Sequence, residues 1–167
     1  PGGVHIDRIS SSGDGQAVDL PRPMMGKGLD FSFSGLKTAV RYKVEKMAPE
    51  AIGDESAMAD LAASTQEAIV DVLVAKSVQA CTREGIHDLV LAGGVACNSR
   101  LRSRAQEEAE ARGLNIHLVP ARYCTDNAAM IGGLGAMHLA AGRSLTGSEL
   151  AEADIYVTRR PNQKTSS

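Results

Sequence analysis

Apolar and polar positions recur along this chain with two periods, and those periods divide it into elements. Between residues 54 and 85, Val70, Leu73, Val74, Ser77, Val78 and Cys81 follow i, i+3, i+4, i+7, so the spacing predicts a long helix with one stripe facing a core. Residues 87–92 hold the run Leu89-Val90-Leu91, a short buried strand stopped by Gly93-Gly94. Asn98 is placed to cap a helix that runs to about Arg112, with Gly113 closing it. Residues 115–119 predict another strand, 120–125 a loop, and 126–141 a final helix that ends at Gly142. Upstream, 4–9 predict a short helix within a stretch, 1–28, otherwise full of turn signals such as Gly13-Asp14-Gly15 and Pro21-Arg22-Pro23. Asp30-Phe31-Ser32-Phe33 alternates with period two and predicts a short strand. Ser34 then caps a helix running to about Met47, with Pro49 just past its end. From Arg159 the tail is entirely polar and is predicted to be disordered. The order β, α, α, β, α, β, α predicts an α/β layer with helices packed on a mixed sheet.

Composition narrows the function classes. The chain has 167 residues, enough for about one domain. Its 43% hydrophobic and 23% charged content fits a folded protein and excludes disorder for the bulk of it. A formal net charge of −2, from 18 Lys+Arg against 20 Asp+Glu, excludes a protein that is basic throughout, while leaving room for a local basic patch. Aromatic residues make up only 3%, which argues against binders that stack single-stranded bases on aromatic platforms. No apolar run reaches the ~18 residues of a membrane span, and nothing resembles a signal peptide. Cys81, Cys97 and Cys124 are odd in number with no C-x-x-C spacing. They point away from a disulfide framework or a cysteine zinc site and toward a reducing, cytoplasmic setting. The chain opens on Pro1-Gly2-Gly3 rather than Met, and so reads as a fragment or a cut domain.

The segment Leu89-Val90-Leu91-Ala92-Gly93-Gly94-Val95-Ala96-Cys97-Asn98 carries the most chemical information. A strand running into two glycines and then a helix can bring backbone close to a ligand, and a helix start offers free N–H groups. Ligands of open α/β sheets sit beyond the carboxyl ends of strands. A nucleotide or phosphate turn is one reading. An ordinary tight turn with Asn98 as a plain N-cap is the other. The segment is neither G-x-G-x-x-G nor a P-loop. Arg100, Arg102 and Arg104 in the first turns of the next helix oppose its dipole, which either a bound phosphate or Glu107 and Glu108 would offset. Lys37, Arg41, Lys43 and Lys46 lie toward the favourable end of theirs and form the candidate basic patch. Asp126 opens the last helix, either as a dipole-stabilised start or as a metal or ligand contact. Gly132, Gly133 and Gly135 behind it each cost ~1 kcal/mol against alanine, which predicts close packing there. His5, His87, His117 and His138 include no pair four apart and no H-E-x-x-H, and no Gly-x-Ser-x-Gly occurs.

Three segments together resemble a known family: 30–38 (Asp-Phe-Ser-Phe-Ser-Gly-Leu-Lys-Thr), 92–101 (Ala-Gly-Gly-Val-Ala-Cys-Asn-Ser-Arg-Leu) and 123–131 (Tyr-Cys-Thr-Asp-Asn-Ala-Ala-Met-Ile). In order and spacing they are similar to the C-terminal part of the universal tRNA N6-adenosine threonylcarbamoyltransferase family, which older labels call O-sialoglycoprotein endopeptidase. Pro1-Gly2-Gly3 resembles that family's Tyr-Pro-Gly-Gly segment, and the match extends to about residue 145.

The resemblance implies an actin-like, sugar-kinase-like ATPase (ASKHA) fold, of which this chain supplies one α/β lobe with a mixed sheet over 1–145, followed by an extension over 146–167. It implies transfer of the threonylcarbamoyl group from threonylcarbamoyl-adenylate to the N6 amine of the adenosine just 3′ of the anticodon, in tRNAs reading codons that begin with A. Carried over, Gly3, Gly93, Gly94 and Asn98 contact the adenylate and Asp126 is a metal ligand. Lys37 and Arg41 are candidate tRNA contacts. The metal is Fe(2+) or Zn(2+), and the family completes its site with the two histidines of an H-x-x-x-H motif, which this chain lacks. The chain alone is therefore expected to bind metal weakly and to transfer nothing. Implied partners are tRNA, a paralogous dimerisation partner and a small ATPase, with no membrane. Two other readings are a phosphotransferase of the same superfamily, whose catalytic acid and phosphate loop the sequence does not supply, and a non-catalytic paralogue acting as a dimerisation scaffold, for which a retained Asp126 would have no use.

Overall fold

The computed structural model describes residues 2–143. They fall into two compact units that divide after Thr125. The boundary expected at 145 and the polar tail from Arg159 lie outside the described residues.

The first unit is organised by one helix. α1 is Gly2–Ser10, α2 Ser34–Lys46, α3 Pro49–Ile52 and α4 Glu55–Glu84. α4 has 30 residues, which is about 45 Å of helix. It starts where Asp54 accepts a hydrogen bond from the Ser56 N–H at 2.9 Å and ends at Gly85, which turns left-handed at φ 64°. α1, α2, α3, α5 and the first strand all pack against it. The stripe read from sequence is one of several buried faces. Val70, Val74 and Val78 meet α5 and the strands, while Ala68 meets Leu20 and Leu36 on another side. A helix apolar on most sides belongs at the centre of its unit.

The stretch between α1 and α2 has no regular structure, yet polar residues along α4 fix it at intervals. Asp60 accepts from the Asp14 N–H at 2.8 Å, Ser64 Oγ from the Val18 N–H at 3.0 Å, and Asp71 pairs with Arg22 at 2.9 Å. Further on, Lys76 Nζ donates to the carbonyls of Lys27, Gly28 and Asp30 at 3.1, 2.8 and 2.8 Å. A Cβ on Gly13 would lie 2.1 Å from the Ala59 carbonyl oxygen, so only glycine allows the turn after α1 to lie against α4.

β1 (Asp88–Leu91) and β2 (Asn115–Leu118) pair in parallel, in the register Asp88↔Asn115 to Leu91↔Leu118. α5 (Ser99–Ala111) connects them. Burial alternates along both strands. Leu91 and Ile116 pack on Val70, Val74, Val78, Leu101 and Ala105, whereas Val90 on the opposite face is 61% exposed. The second unit, described by itself, holds α6 (Ala128–Ala140), capped by Asn127, whose side chain accepts from the Met130 N–H.

Several expectations are corrected. The sheet among the described residues is two-stranded and parallel rather than mixed. Asp30–Phe33 is not a strand: its period-two pattern has no neighbouring strand to pair with among the described residues, and the Asp30 carbonyl goes to Lys76 instead. Ser34 is the first residue of α2, whose cap position, Phe33, makes no side-chain capping bond. Pro49 begins the one-turn α3 rather than merely ending α2. Asp126 stands one residue ahead of the α6 cap, outside the first turn. Gly132, Gly133 and Gly135 lie in α6, within the second unit, where the described residues do not test the packing expected for them.

Candidate functional site

The site starts at the carboxyl end of β1. Gly93 follows at φ 88°, ψ 169°, a conformation open only to glycine. Nothing lies within 4 Å of a Cβ at Gly93 or Gly94, so backbone conformation, not crowding, sets the requirement at Gly93. The chain then makes one turn of 3-10 helix, Gly94–Cys97, which the sequence pattern did not indicate. It begins at Gly94 and separates Gly93 from the start of α5.

Asn98 sits where that turn gives way to α5. Its Oδ1 accepts from the Leu101 N–H at 2.8 Å, the N-cap bond expected of it. Its Nδ2 donates to Asp7 Oδ1 at 3.0 Å and to Gln66 Oε1 at 2.6 Å. Asp7 also accepts from the Ser99 hydroxyl at 2.9 Å and, at 3.3 Å, from the Ser99 N–H. The anion at the start of α5 is thus a carboxylate from α1, where the dipole and free N–H groups favour one. Asn98 thereby joins α1, α4 and α5, with both of its amide donors and its carbonyl oxygen engaged. Gly3 lies four residues before Asp7, on the same face of α1.

Asp7 and Gln66 were not singled out by the sequence, because their partners lie 91 and 32 residues away. An acid four residues after Gly3 in an amphipathic helix was the available signal. The three arginines of α5 resolve differently. Arg104 pairs with Glu108 at 3.0 Å, as the i, i+4 spacing predicts. Arg100 makes a two-pronged contact to Glu67 on α4, at 2.7 and 2.8 Å. Arg102 makes no ion pair among the described residues; its Nη1 donates to two carbonyls, Ala96 O at 2.9 Å and Val119 O at 3.0 Å.

The Arg100 hydrogen bonds hold the Glu67 carboxyl below the usual carboxylate value of about 4.5, against the opposing effect of burial. A depressed carboxyl stabilises the fold above its unfolded value and loses that contribution as pH falls through its folded value. Stability should therefore decline below about pH 4.5, and Glu67→Gln should flatten that part of the acid limb in urea midpoints measured against pH. An unchanged limb would show that the pair contributes nothing.

Asp126 is exposed and belongs to the second unit. Among the described residues no three His, Cys, Asp or Glu side chains are grouped to hold a metal ion, and one carboxylate does not make such a site. Lys37 is exposed on α2, and Arg41, one turn on, pairs with Glu45 at 2.7 Å. No helix among the described residues is long and apolar enough to cross a membrane.

Comparison with known proteins decides the family. The family model of tRNA N6-adenosine threonylcarbamoyltransferase (TsaD) matches residues 1–133. The chain belongs to this family. The threonylcarbamoyltransferase of Bdellovibrio bacteriovorus is 47% identical over 143 residues, covering 85% of this chain and 41% of that protein. The corresponding protein of Bordetella avium is 46% identical over 162 residues, 96% of this chain and 46% of its own length. That of Thermosipho africanus is 46% identical over 132 residues, 78% and 39%. The chain spans about two fifths of the length of the threonylcarbamoyltransferases it matches. The resemblance carried by the three motifs therefore stands, and all three lie within the matched span.

Proposed function

We propose that this chain forms the C-terminal part of an enzyme that transfers the threonylcarbamoyl group from threonylcarbamoyl-adenylate to tRNA. The acceptor is the N6 amine of the adenosine 3′-adjacent to the anticodon, in tRNAs reading codons that begin with A. The amine attacks the carbamoyl carbon, the bond from that carbon to the phosphate oxygen breaks, and AMP leaves with the electron pair while the amine gives up a proton. The observation that carries this reading is the family match across residues 1–133. The α/β architecture, with a glycine turn beyond the end of a parallel strand, supports it and is compatible with one lobe of an actin-like ATPase fold.

In this reading Gly3, Gly93, Gly94 and Asn98 line the adenylate, the glycines by close backbone approach. Asn98 reaches a ligand only by releasing Asp7 or Gln66, its present partners. Asp126 supplies one oxygen to an Fe(2+) or Zn(2+) whose other ligands lie outside this chain. Among the described residues no group of three His, Cys, Asp or Glu side chains includes it, so these residues do not form that metal site by themselves. Lys37 and Arg41 face tRNA, as two cations one turn apart on an exposed helix surface. A paralogous dimerisation partner, a small ATPase and a cytoplasmic setting complete the proposal.

The test is incorporation of radiolabelled threonine into tRNA by the natural protein that carries this sequence, with its helper proteins, ATP and bicarbonate, beside an Asp126→Ala variant. Incorporation that disappears with Asp126→Ala supports transfer and the metal role together. Incorporation that survives supports transfer alone and leaves Asp126 without a metal role. None at all, with the adenylate shown to form, overturns the proposal in favour of a dimerisation scaffold.

A further inference from the structure

We infer that Arg102 is a positioning residue that fixes the glycine turn after β1 against the loop that leaves β2. Three arginines occupy the first two turns of α5, and two of them have carboxylate partners: Arg100 has Glu67, and Arg104 has Glu108. Arg102 differs. It is half-buried, forms no ion pair among the described residues, and directs one guanidinium nitrogen at two main-chain carbonyls. Three unneutralised cations at a helix start would be unfavourable, so the one that remains without a carboxylate has another use.

Its two acceptors define that use. Ala96 O belongs to the 3-10 turn that begins at Gly94, and Ala96 is itself 2% exposed. Val119 O lies one residue past β2. The N–H of Val119 donates to Leu91 O, the last residue of β1, at 3.1 Å. Val119 is therefore anchored to the end of β1 on one side and to Arg102 on the other. Two thiols support the same junction: Cys124 Sγ donates to Val119 O at 3.4 Å, and Cys97 Sγ to Ala121 O at 3.7 Å. The carboxyl ends of both strands, the glycine turn and the segment 119–124 thus meet around one guanidinium nitrogen. Removing it leaves two inward-facing carbonyls without their charged donor, and such bonds are stronger than neutral ones. The glycine turn is where the proposed adenylate contacts lie, so the functional half of this inference rests on that reading.

The experiment compares Arg102→Met, Arg102→Lys and Arg104→Met in the natural protein that carries this sequence. Hydrogen exchange by mass spectrometry reads the local structure, and titration with AMP reads the site. In Arg102→Met, the amides of Ala96 and Asn98 and those of Tyr123 and Cys124 should exchange roughly tenfold faster together, while α4 keeps its protection. AMP affinity should fall by a similar factor. Arg102→Lys, whose ammonium can still donate to a carbonyl, should recover part of both. Arg104→Met removes the same charge from the same helix and should change neither. If Arg102→Met and Arg104→Met behave alike, if exchange rises throughout α4, or if the junction loosens without any loss of AMP affinity, the inference is overturned. If the unsubstituted protein does not bind AMP, the adenylate reading fails, and coupled exchange at the two segments alone decides whether Arg102 holds the junction.

Discussion

Lys76→Met lowers the stability of the first unit by about 2–4 kcal/mol in a urea titration, with the midpoint moving and the slope unchanged. Lys76 is only 2% exposed and has no carboxylate partner among the described residues. Its three ammonium hydrogens are matched by the carbonyls of Lys27, Gly28 and Asp30, and the Phe31 ring lies 5.8 Å away. Hydrogen bonds to a charged donor contribute roughly 1.5–3 kcal/mol each, so three of them set an upper scale well above the expected loss. Relief of the cost of burying the ammonium itself works the other way and brings the net figure down. Met keeps the length of the apolar stem and removes only the charge, which isolates the polar part of the interaction. The segment it releases includes Lys27, so trypsin cleavage there should quicken by more than the global loss alone would cause. An unchanged midpoint would mean that water satisfies the three carbonyls equally well.

This residue also shows where the sequence stops being informative. Lys76 falls within the apolar run of α4, and its neighbours in sequence give no sign that its nitrogen belongs to a loop 46 to 49 residues upstream. The same contact explains why Asp30–Phe33, alternating like a strand, is not one. Periodicity reports which positions can face a core, but whether a strand forms depends on a pairing partner, and α4 took that role instead. Elements whose signals are local were legible. α4 lies between Asp54 and Gly85 and α5 between Asn98 and Gly113, because cap chemistry and periodicity fall together there. β1 followed from the apolar run Leu89-Val90-Leu91, although only one of its faces is covered and Val90 is exposed, and β2 lies within the strand expected over 115–119.

Within the candidate site the division is similar. Gly93 was recognisable as a turn residue and is one, with a backbone conformation only glycine adopts. Asn98 was recognisable as an N-cap. Its other two bonds were not, since Asp7 and Gln66 come from helices far away in sequence. The Arg104–Glu108 pair followed from i, i+4 spacing, whereas the acceptors of Arg102 are main-chain carbonyls, which no residue type marks. The roles proposed for Gly3 and Asp126 rest on family resemblance rather than on pattern, because neither residue type at its position distinguishes a ligand contact from a structural residue near a helix start.

Asn98 gives the second large effect, and two substitutions separate its parts. Asn98→Ala removes the cap to Leu101 and both Nδ2 bonds, leaving the half-buried Asp7 carboxylate with one donor fewer and the buried Gln66 amide oxygen without its partner. The cap is worth about 1 kcal/mol and the bond to a carboxylate about 1.5–3, so a loss near 3 kcal/mol is expected. Asn98→Asp keeps the capping oxygen and adds a charge that the helix dipole favours. It also replaces a donor with an acceptor 3.0 Å from Asp7 Oδ1. Gln66 can turn its amide to donate, so the penalty concentrates on the two carboxylates. Like charges that close raise the folded-state pKa of the pair above its unfolded value. The folded protein then binds more protons than the unfolded one, and stability rises as pH falls until the pair shares a proton. The unsubstituted protein lacks this close pair of carboxylates, and its Glu67 contribution, which both proteins share, is lost only below about pH 4.5. Urea midpoints between about pH 7 and 4.5 should therefore converge for Asn98→Asp and the unsubstituted protein, while Asn98→Ala stays below both. Parallel curves for all three would place Asp7 away from Asn98 in solution, and would remove the link between α1 and the start of α5 on which the proposed site depends.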